Sequence, residues 1–207
     1  MTLNFNPNEE YILEDDRVLL RPLKETDLEF LLPYALNEPD TWKYSFISAR
    51  GLDGMTQYIK DALDGGATGT QYPFIVFDKQ TGKYVGSTRF YDIKPAWQTV
   101  QLGYTWYGEK SRGTGLNKHC KFLLLQFAFE TLGALRVEFR ADARNERSIA
   151  AMKSIGCIPE GILRRDMPLC DGDRRNSIVL SVLKEEWEGG VKDNLAKRLW
   201  KGPVKIN

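Results

Sequence analysis

TVQLGYTWYGEKSRGTGLN, residues Thr99–Asn117, reads as a strand, a glycine-punctuated loop and the first turn of a helix. Val100, Leu102 and Tyr104 alternate with Thr99, Gln101 and Gly103, the period-two pattern of a strand. Polarity rises over Gly108-Glu109-Lys110-Ser111-Arg112, then Gly113 and Gly115 precede an apolar run from Leu116. Such a loop aims unpaired backbone N–H groups and the positive end of a helix at one point, where phosphate can be held. Glycine there lets a ligand approach the backbone closely and permits left-handed angles. The loop is neither of the two common phosphate fingerprints. No Lys-Ser/Thr pair follows a glycine at P-loop spacing, and Lys118 stands where a dinucleotide fingerprint needs its third glycine.

The flanking chain completes a mixed pattern. Arg17–Arg21 predicts a first strand, and a helix follows from Glu25 or Thr26 to about Leu36, with Pro33 inside it. Between Pro39 and Ala49, Trp42, Tyr44 and Phe46 alternate, as in a short buried strand or packed loop. A second helix is expected over Leu52–Leu63, ended by Gly65-Gly66. Gln71–Asp78 and Lys83–Ile93 read as strands joined by a turn over Lys79–Gly82. The helix opened at Leu116 runs to about Leu132, is apolar almost all round, and stops at Gly133. Leu135–Ala141 is the next strand, so strand, helix and strand form a βαβ unit with parallel strands. Asn145–Ser148 leads into a short helix over Ile149–Ile155, closed by Gly156. Two more strands, near Gly161–Met167 and Asn176–Leu183, flank a turn at Asp171-Gly172-Asp173. An amphipathic helix with Val191, Leu195, Leu199 and Trp200 ends the chain, packed on the core or against a second subunit.

At 207 residues with a formal net charge of +1, the chain is long enough for a real core and carries no global basic field for nucleic acid. Three cysteines, Cys120, Cys157 and Cys170, show neither even number nor metal spacing, so reduced thiols and no metal site are expected. The N-terminus lacks the basic and apolar regions of a signal peptide, and no run is long enough to span a membrane. These features predict a cytoplasmic protein without membrane or nucleic-acid partners.

Lys110-Ser111-Arg112-Gly113-Thr114-Gly115 resembles the acyl-CoA pyrophosphate loop of the GCN5-related N-acetyltransferase (GNAT) superfamily, with lysine in place of the usual Gln/Arg. Asp142, Asn145 and Ser148 form a D-x-x-N-x-x-S box, followed by Ile155-Gly156, Glu160-Gly161, the Asp171-Gly172 turn and Glu186-Trp187. In that order they resemble the branch of bacterial ribosomal-protein N-terminal acetyltransferases (RimJ/RimL-like), over roughly Arg17–Trp187. The resemblance implies an α/β (α+β) GNAT fold: a mixed twisted sheet of six to seven strands flanked by about four helices. It divides the chain into one acetyltransferase domain, 1–187, and a C-terminal helical tail, 188–207, packed on the domain or a partner subunit.

It further implies acetyl-CoA as cofactor, its pantetheine arm lodged between two splayed parallel strands. Backbone groups of Thr105, Trp106 and Tyr107 would pair with that arm and polarise the carbonyl. Lys110, Ser111, Arg112, Gly113, Thr114, Gly115, Leu116 and Asn117 would hold the pyrophosphate. By the same resemblance Asn145 hydrogen-bonds the arm, in addition to the helix cap its junction favours. Ser148 stands beside the departing sulfur as proton donor or hydrogen-bond partner, and Trp42 and Tyr44 wall the acceptor pocket.

No general base is assigned. Glu138 is expected in a cross-strand ion pair, Asp166 lies near where some relatives carry a catalytic carboxylate but Met167 occupies that position here, and His119 is read as structural. A base is dispensable for some amines: an α-amine is roughly 14 % neutral at pH 7, a lysine about 0.04 %. The acceptor expected is therefore a protein N-terminal α-amine, which the resemblance would make ribosomal in origin, or a small-molecule amine. The alternative is a catalytically idle acyl-CoA-binding module; monomer and homodimer are both open.

Overall fold

The computed structural model describes residues 2–45, 47–169 and 172–200. Phe46, Cys170 and Asp171, invoked above in an alternation, a cysteine count and a turn, lie outside them. The described chain builds an eight-stranded sheet in the order β1-β2-β3-β4-β5-β6-β8-β7. Its strands are β1 (Leu13–Glu14), β2 (Val18–Pro22), β3 (Gln71–Asp78), β4 (Lys83–Lys94), β5 (Thr99–Tyr107), β6 (Arg136–Asp142), β7 (Ile158–Pro168) and β8 (Arg174–Leu183). All neighbours pair antiparallel except β5 and β6, which are parallel as the βαβ pattern requires. The count exceeds six to seven because β1 has two residues, too few to show alternation.

The helices are α1 (Leu28–Asn37), α2 (Gly51–Ala67), α3 (Leu116–Gln126, continued by a π turn to Thr131), α4 (Glu146–Ser154), α5 (Lys184–Glu186) and α6 (Lys192–Leu199). Strand β3 shows how they are shared between two faces. Phe74 and Val76 enter the cluster beneath α3 and α6, whereas Ile75 enters the one beneath α1 and α2. Gly133 closes the α3 region at φ +74°, the backbone its position predicts. Helix α2, by contrast, runs through Gly65 and Gly66 and turns only near Gly69 (φ +69°). A Cβ on Gly65 would sit 2.6 Å from the Gln71 side chain, so that glycine serves close helix–sheet approach and not termination. The stretch after Pro39 is a packed loop opened by a 3₁₀ turn, Pro39–Trp42, and not a strand.

Beyond Trp187 the chain folds back over α3. Leu195 and Ala196 are buried, Lys192 pairs with Glu130 at 2.8 Å, and Trp200 Nε1 donates to Asp16 at 3.1 Å.

Candidate functional site

Strands β5 and β6 share only three paired positions, Thr99–Gln101 with Arg136–Glu138. Beyond them β5 continues from Leu102 to Tyr107 and β6 from Phe139 to Asp142, with no strand between. The parallel pair therefore opens into a fork whose β5 side offers an unpaired backbone edge.

A bulge shapes that edge. Between Ser87 and Arg89 of β4 the register slips against Trp106 and Gly103, and Tyr104 adopts φ +51°. The bulge reverses the facing of the residues after it. Val100 and Leu102 pack under α3, Tyr104 and Trp106 face α1 and α2, and Tyr107 faces α3 again. The simple alternation expected through Tyr104 is thus broken by one residue.

Tyr107 leads into the loop. Its hydroxyl bonds Asn117 Oδ1 at 3.1 Å, while its carbonyl accepts from Arg112 Nε at 2.9 Å. The Arg112 guanidinium also reaches Thr41 Oγ1 at 2.6 Å and Glu38 at 3.7 Å, so it ties the loop to the α1–α2 connection. Ser111 is buried, its amide spent on Gly108 and its carbonyl on the Thr114 hydroxyl. Five consecutive amides remain. Among the described residues, the N–H groups of Gly113, Thr114, Gly115, Leu116 and Asn117 have no protein acceptor. Gly113 and Gly115 stand at φ +76° and +92°, and a Cβ on either would meet nothing within 4 Å. The result is an open concavity of donors at the start of α3, with exposed Lys110 on its rim.

The other prong of the fork ends in the D-x-x-N-x-x-S box. Buried Asp142 folds the turn by accepting the Arg144 amide at 2.9 Å, and its carbonyl accepts the Asn145 amide at 2.8 Å. The Arg144 guanidinium, bonded to its side chain, holds the Asp142 carboxyl below its usual range against the opposing effect of burial. Asn145 Oδ1 caps α4 by accepting the Ser148 amide at 3.1 Å. The cap thus uses the side-chain oxygen, and Asn145 Nδ2 and the Ser148 hydroxyl have no partner among the described residues. Asn145→Ala is expected to cost about 1 kcal/mol, read as a lower midpoint in urea unfolding.

The acceptor-side candidates differ from each other. Trp42 is buried against Trp106, ring centroids 5.4 Å apart, and its Nε1 has no partner among the described residues. Tyr44 is half-buried beside Lys43. Glu138 lies in ion pairs with Arg136 (2.8 Å) and Arg140 (2.7 Å) along its own strand, while Ser181 stands opposite it in register. The ion pairing is therefore along the strand and not across it. Asp166 lies 3.8 Å from Arg140, and His119 Nδ1 meets Asp15 Oδ2 at 2.7 Å.

Three buried cations escaped the sequence reading, Arg89, Lys121 and Arg175, the last donating to Ser177 Oγ at 2.8 Å. Arg89 of β4 lies over the Tyr58 and Tyr104 rings at 4.6 and 4.1 Å and donates to Gln71 at 2.8 Å. Lys121 of α3 is buried and donates from Nζ to Thr105 Oγ1 at 2.8 Å. The signal for Lys121 was its place in an apolar run, Cys120-Lys121-Phe122-Leu123, where a solvated lysine is out of pattern.

Comparison with known proteins adds the family. A model described as acetyltransferase (GNAT) domain matches residues 17–158. Uncharacterized N-acetyltransferase p20 of Bacillus licheniformis is 27 % identical over 182 residues, 86 % of this chain and 98 % of its own length. A Bacillus subtilis (strain 168) protein with the provisional name ribosomal N-acetyltransferase YdaF is 31 % identical over 108 residues, 52 % of this chain and 58 % of its own. The crystal structure of a GCN5-related N-acetyltransferase from Brucella melitensis superposes with a TM-score of 0.85 at 25 % identity, covering 100 % of this chain and 92 % of that one.

Proposed function

The chain belongs to the GNAT acetyltransferase family, and on that premise we propose that it moves an acetyl group from acetyl-CoA to the N-terminal α-amine of a protein. N-acetyltransferase activity comes with the family; the acceptor and the residues that serve it are the proposed part. The observation that carries the reading is the run of five unpaired amides, Gly113 to Asn117, at the mouth of the β5/β6 fork. A diphosphate matches that concavity in charge and in number of donors, so these residues fit the coenzyme. Lys110 adds charge at the rim, while Ser111 and Arg112 shape the loop through the bonds described above.

When bound, acetyl-CoA supplies an activated acyl group as a thioester. The chain's own groups orient it. Thr105, Trp106 and Tyr107 present the free edge of β5 to the arm, Asn145 Nδ2 donates to it from the other prong, and the Ser148 hydroxyl is placed for the sulfur. Trp42, packed behind Trp106, and Tyr44 wall the side from which the amine arrives. Holding the amine against the thioester removes much of the entropic barrier to direct attack.

Of the two candidate carboxylates, Glu138 has both oxygens held by arginines and Asp166 lies 3.8 Å from Arg140. That favours an amine that is partly neutral without help, so an α-amine suits this site better than a lysine side chain. The provisional name of YdaF points the same way. The domain 1–187 with its tail folded on it is proposed to act in the cytoplasm on soluble substrates, with no nucleic acid or membrane involved.

Thiol release from acetyl-CoA with ribosomal-protein N-terminal peptides, polyamines and aminoglycosides tests the acceptor. We expect turnover with a peptide N-terminus and none when that terminus is blocked and only lysine remains. Tight CoA binding without turnover on any amine would indicate an idle module instead. Asn145→Asp separates the two jobs of that residue. It keeps the cap acceptor and removes the donor, so stability is expected to hold while the CoA dissociation constant rises about tenfold.

A further inference from the structure

Helix α3 points one cation into the protein, and nothing described so far uses it. Lys121 is 5 % exposed. Its side chain crosses from α3 to the sheet exactly where the parallel strands part company: Nζ bonds Thr105 Oγ1 of β5 at 2.8 Å and stands 5.7 Å from the centre of the Phe139 ring of β6. Phe139 is the first β6 residue past the last parallel pair. Thr105 Oγ1 in turn meets Thr88 Oγ1 at 2.7 Å and both reach the Gly103 carbonyl at 3.4 Å, so beyond Nζ the bond network holds only neutral groups.

No carboxylate pairs with Lys121 among the described residues. The titratable groups facing it are the thiols of Cys120, beside it on α3, and Cys157, after α4, with the Tyr107 phenol next to Cys120. Burial pushes both thiols up to about 12, so they stay neutral. Burial likewise pushes the Lys121 ammonium down to about 8. An apolar side chain would fill this position without the cost of an unpaired buried charge.

We propose that Lys121 is a catalytic residue, whose ammonium faces the sulfur lodged in the β5/β6 fork and protonates it as it leaves. The inference rests on the reading of the fork as the acetyl-CoA cleft. The acceptor nitrogen forms its bond to the carbonyl carbon, and the carbon–sulfur bond breaks with its electron pair going to sulfur. Nζ passes one proton to that sulfur and becomes a neutral amine. The proton shed by the acceptor nitrogen then returns to Nζ through water, which closes the balance. A thiol at about 8.5 is close to the donor, so the transfer is nearly thermoneutral. Activity carried by this group is present below about pH 8 and lost above it, where Nζ is neutral.

Lys121→Met and Lys121→Arg test the assignment. Both are compared with the wild type in calorimetric affinity for CoA and desulfo-CoA from pH 6.5 to 9, in thermal stability, and in turnover. The wild type is expected to prefer CoA by about tenfold near pH 8, where Nζ and the thiol hold one proton between them as a thiolate–ammonium pair. Met should abolish that preference, keep desulfo-CoA affinity and stability, and lower turnover at least about tenfold. Arg should keep the thiol preference yet lose turnover, because it holds its proton. A Met variant that retains the preference, or turns over within about threefold of wild type, overturns the proposal. A Met variant that fails to fold makes the lysine structural, unless the folded Arg variant shows the split just described. If the wild type binds desulfo-CoA but shows no thiol preference, only Lys121 is wrong. If it binds neither coenzyme, the cleft reading itself falls.

Discussion

Trp187→Ala is expected to destabilise the protein by about 4 kcal/mol, the largest stability loss foreseen for a single side chain here. Trp187 is 1 % exposed. Its ring stacks on Phe129 and tilts against Phe122, centroids 5.7 Å away in each case, so it wedges between α3 with its π turn and the chain leading to α6. Its Nε1 donates to Glu130 at 2.9 Å, and Glu130 also holds Lys192 at the start of α6. Removing the indole empties a large volume and frees one side of the Glu130 junction in a single step. At this chain length the loss corresponds to a melting midpoint lower by about 8–16 °C. Trp187→Phe keeps most of the packing and should cost only about 1–2 kcal/mol. Equal losses for Ala and Phe in urea unfolding would show that the hydrogen bond, and not the packing, anchors the tail. Loss of α6 from the surface of α3 should also expose Phe122, which Trp200 covers edge-on at 5.0 Å.

The fold was legible wherever burial shows in the run of residues itself. The apolar runs of β3 and α3 and the alternation at the start of β5 express burial directly, and burial is what hydrophobic patterning encodes. The turn signals at Gly82 and Gly133 were legible for a second reason, since both sit at positive φ. Illegible features depend on contacts that form only on folding, whether the partner is near or far in sequence. Gly65 looked like a terminator because Gln71, which it must let pass, comes into contact only after folding. Arg112 looked free for a phosphate because Thr41 and Glu38 are more than seventy residues away.

The site divides along the same line. The glycine loop and the Asp142-Asn145-Ser148 box are local, so their spacing can be read without tertiary knowledge. The bulge at Tyr104 is invisible in a period-two pattern because the extra residue is itself aromatic and fits either face. Lys121 was overlooked for a related reason. A lysine on a helix is ordinarily solvated, and only the course of α3 over the fork turns its side chain inward. Features that violate local expectation are where function is to be sought.

Gly115→Val is expected to weaken CoA binding at least about a hundredfold while leaving a folded protein. At φ +92° a β-branched residue is strained by about 1–3 kcal/mol, yet no protein atom lies within 4 Å of the position its Cβ would take. The space it enters is the concavity itself. A branched side chain there keeps a phosphate oxygen from reaching the amides of Gly115 and Leu116, and each charge-assisted bond of that kind contributes about 1.5–3 kcal/mol. Strain alone could mimic part of the result, so the comparison needs a glycine of the same kind elsewhere. Gly82 provides it: it turns the β3–β4 hairpin at φ +66°, and a Cβ on it likewise meets nothing within 4 Å. Gly82→Val should lower stability by a similar amount and leave the CoA dissociation constant within about twofold of wild type. Calorimetry on the two variants then isolates the phosphate contact from the backbone penalty. Equal affinities in both would remove the diphosphate from this loop, and with it the alignment of the coenzyme along β5 that Asn145, Ser148 and Lys121 presuppose.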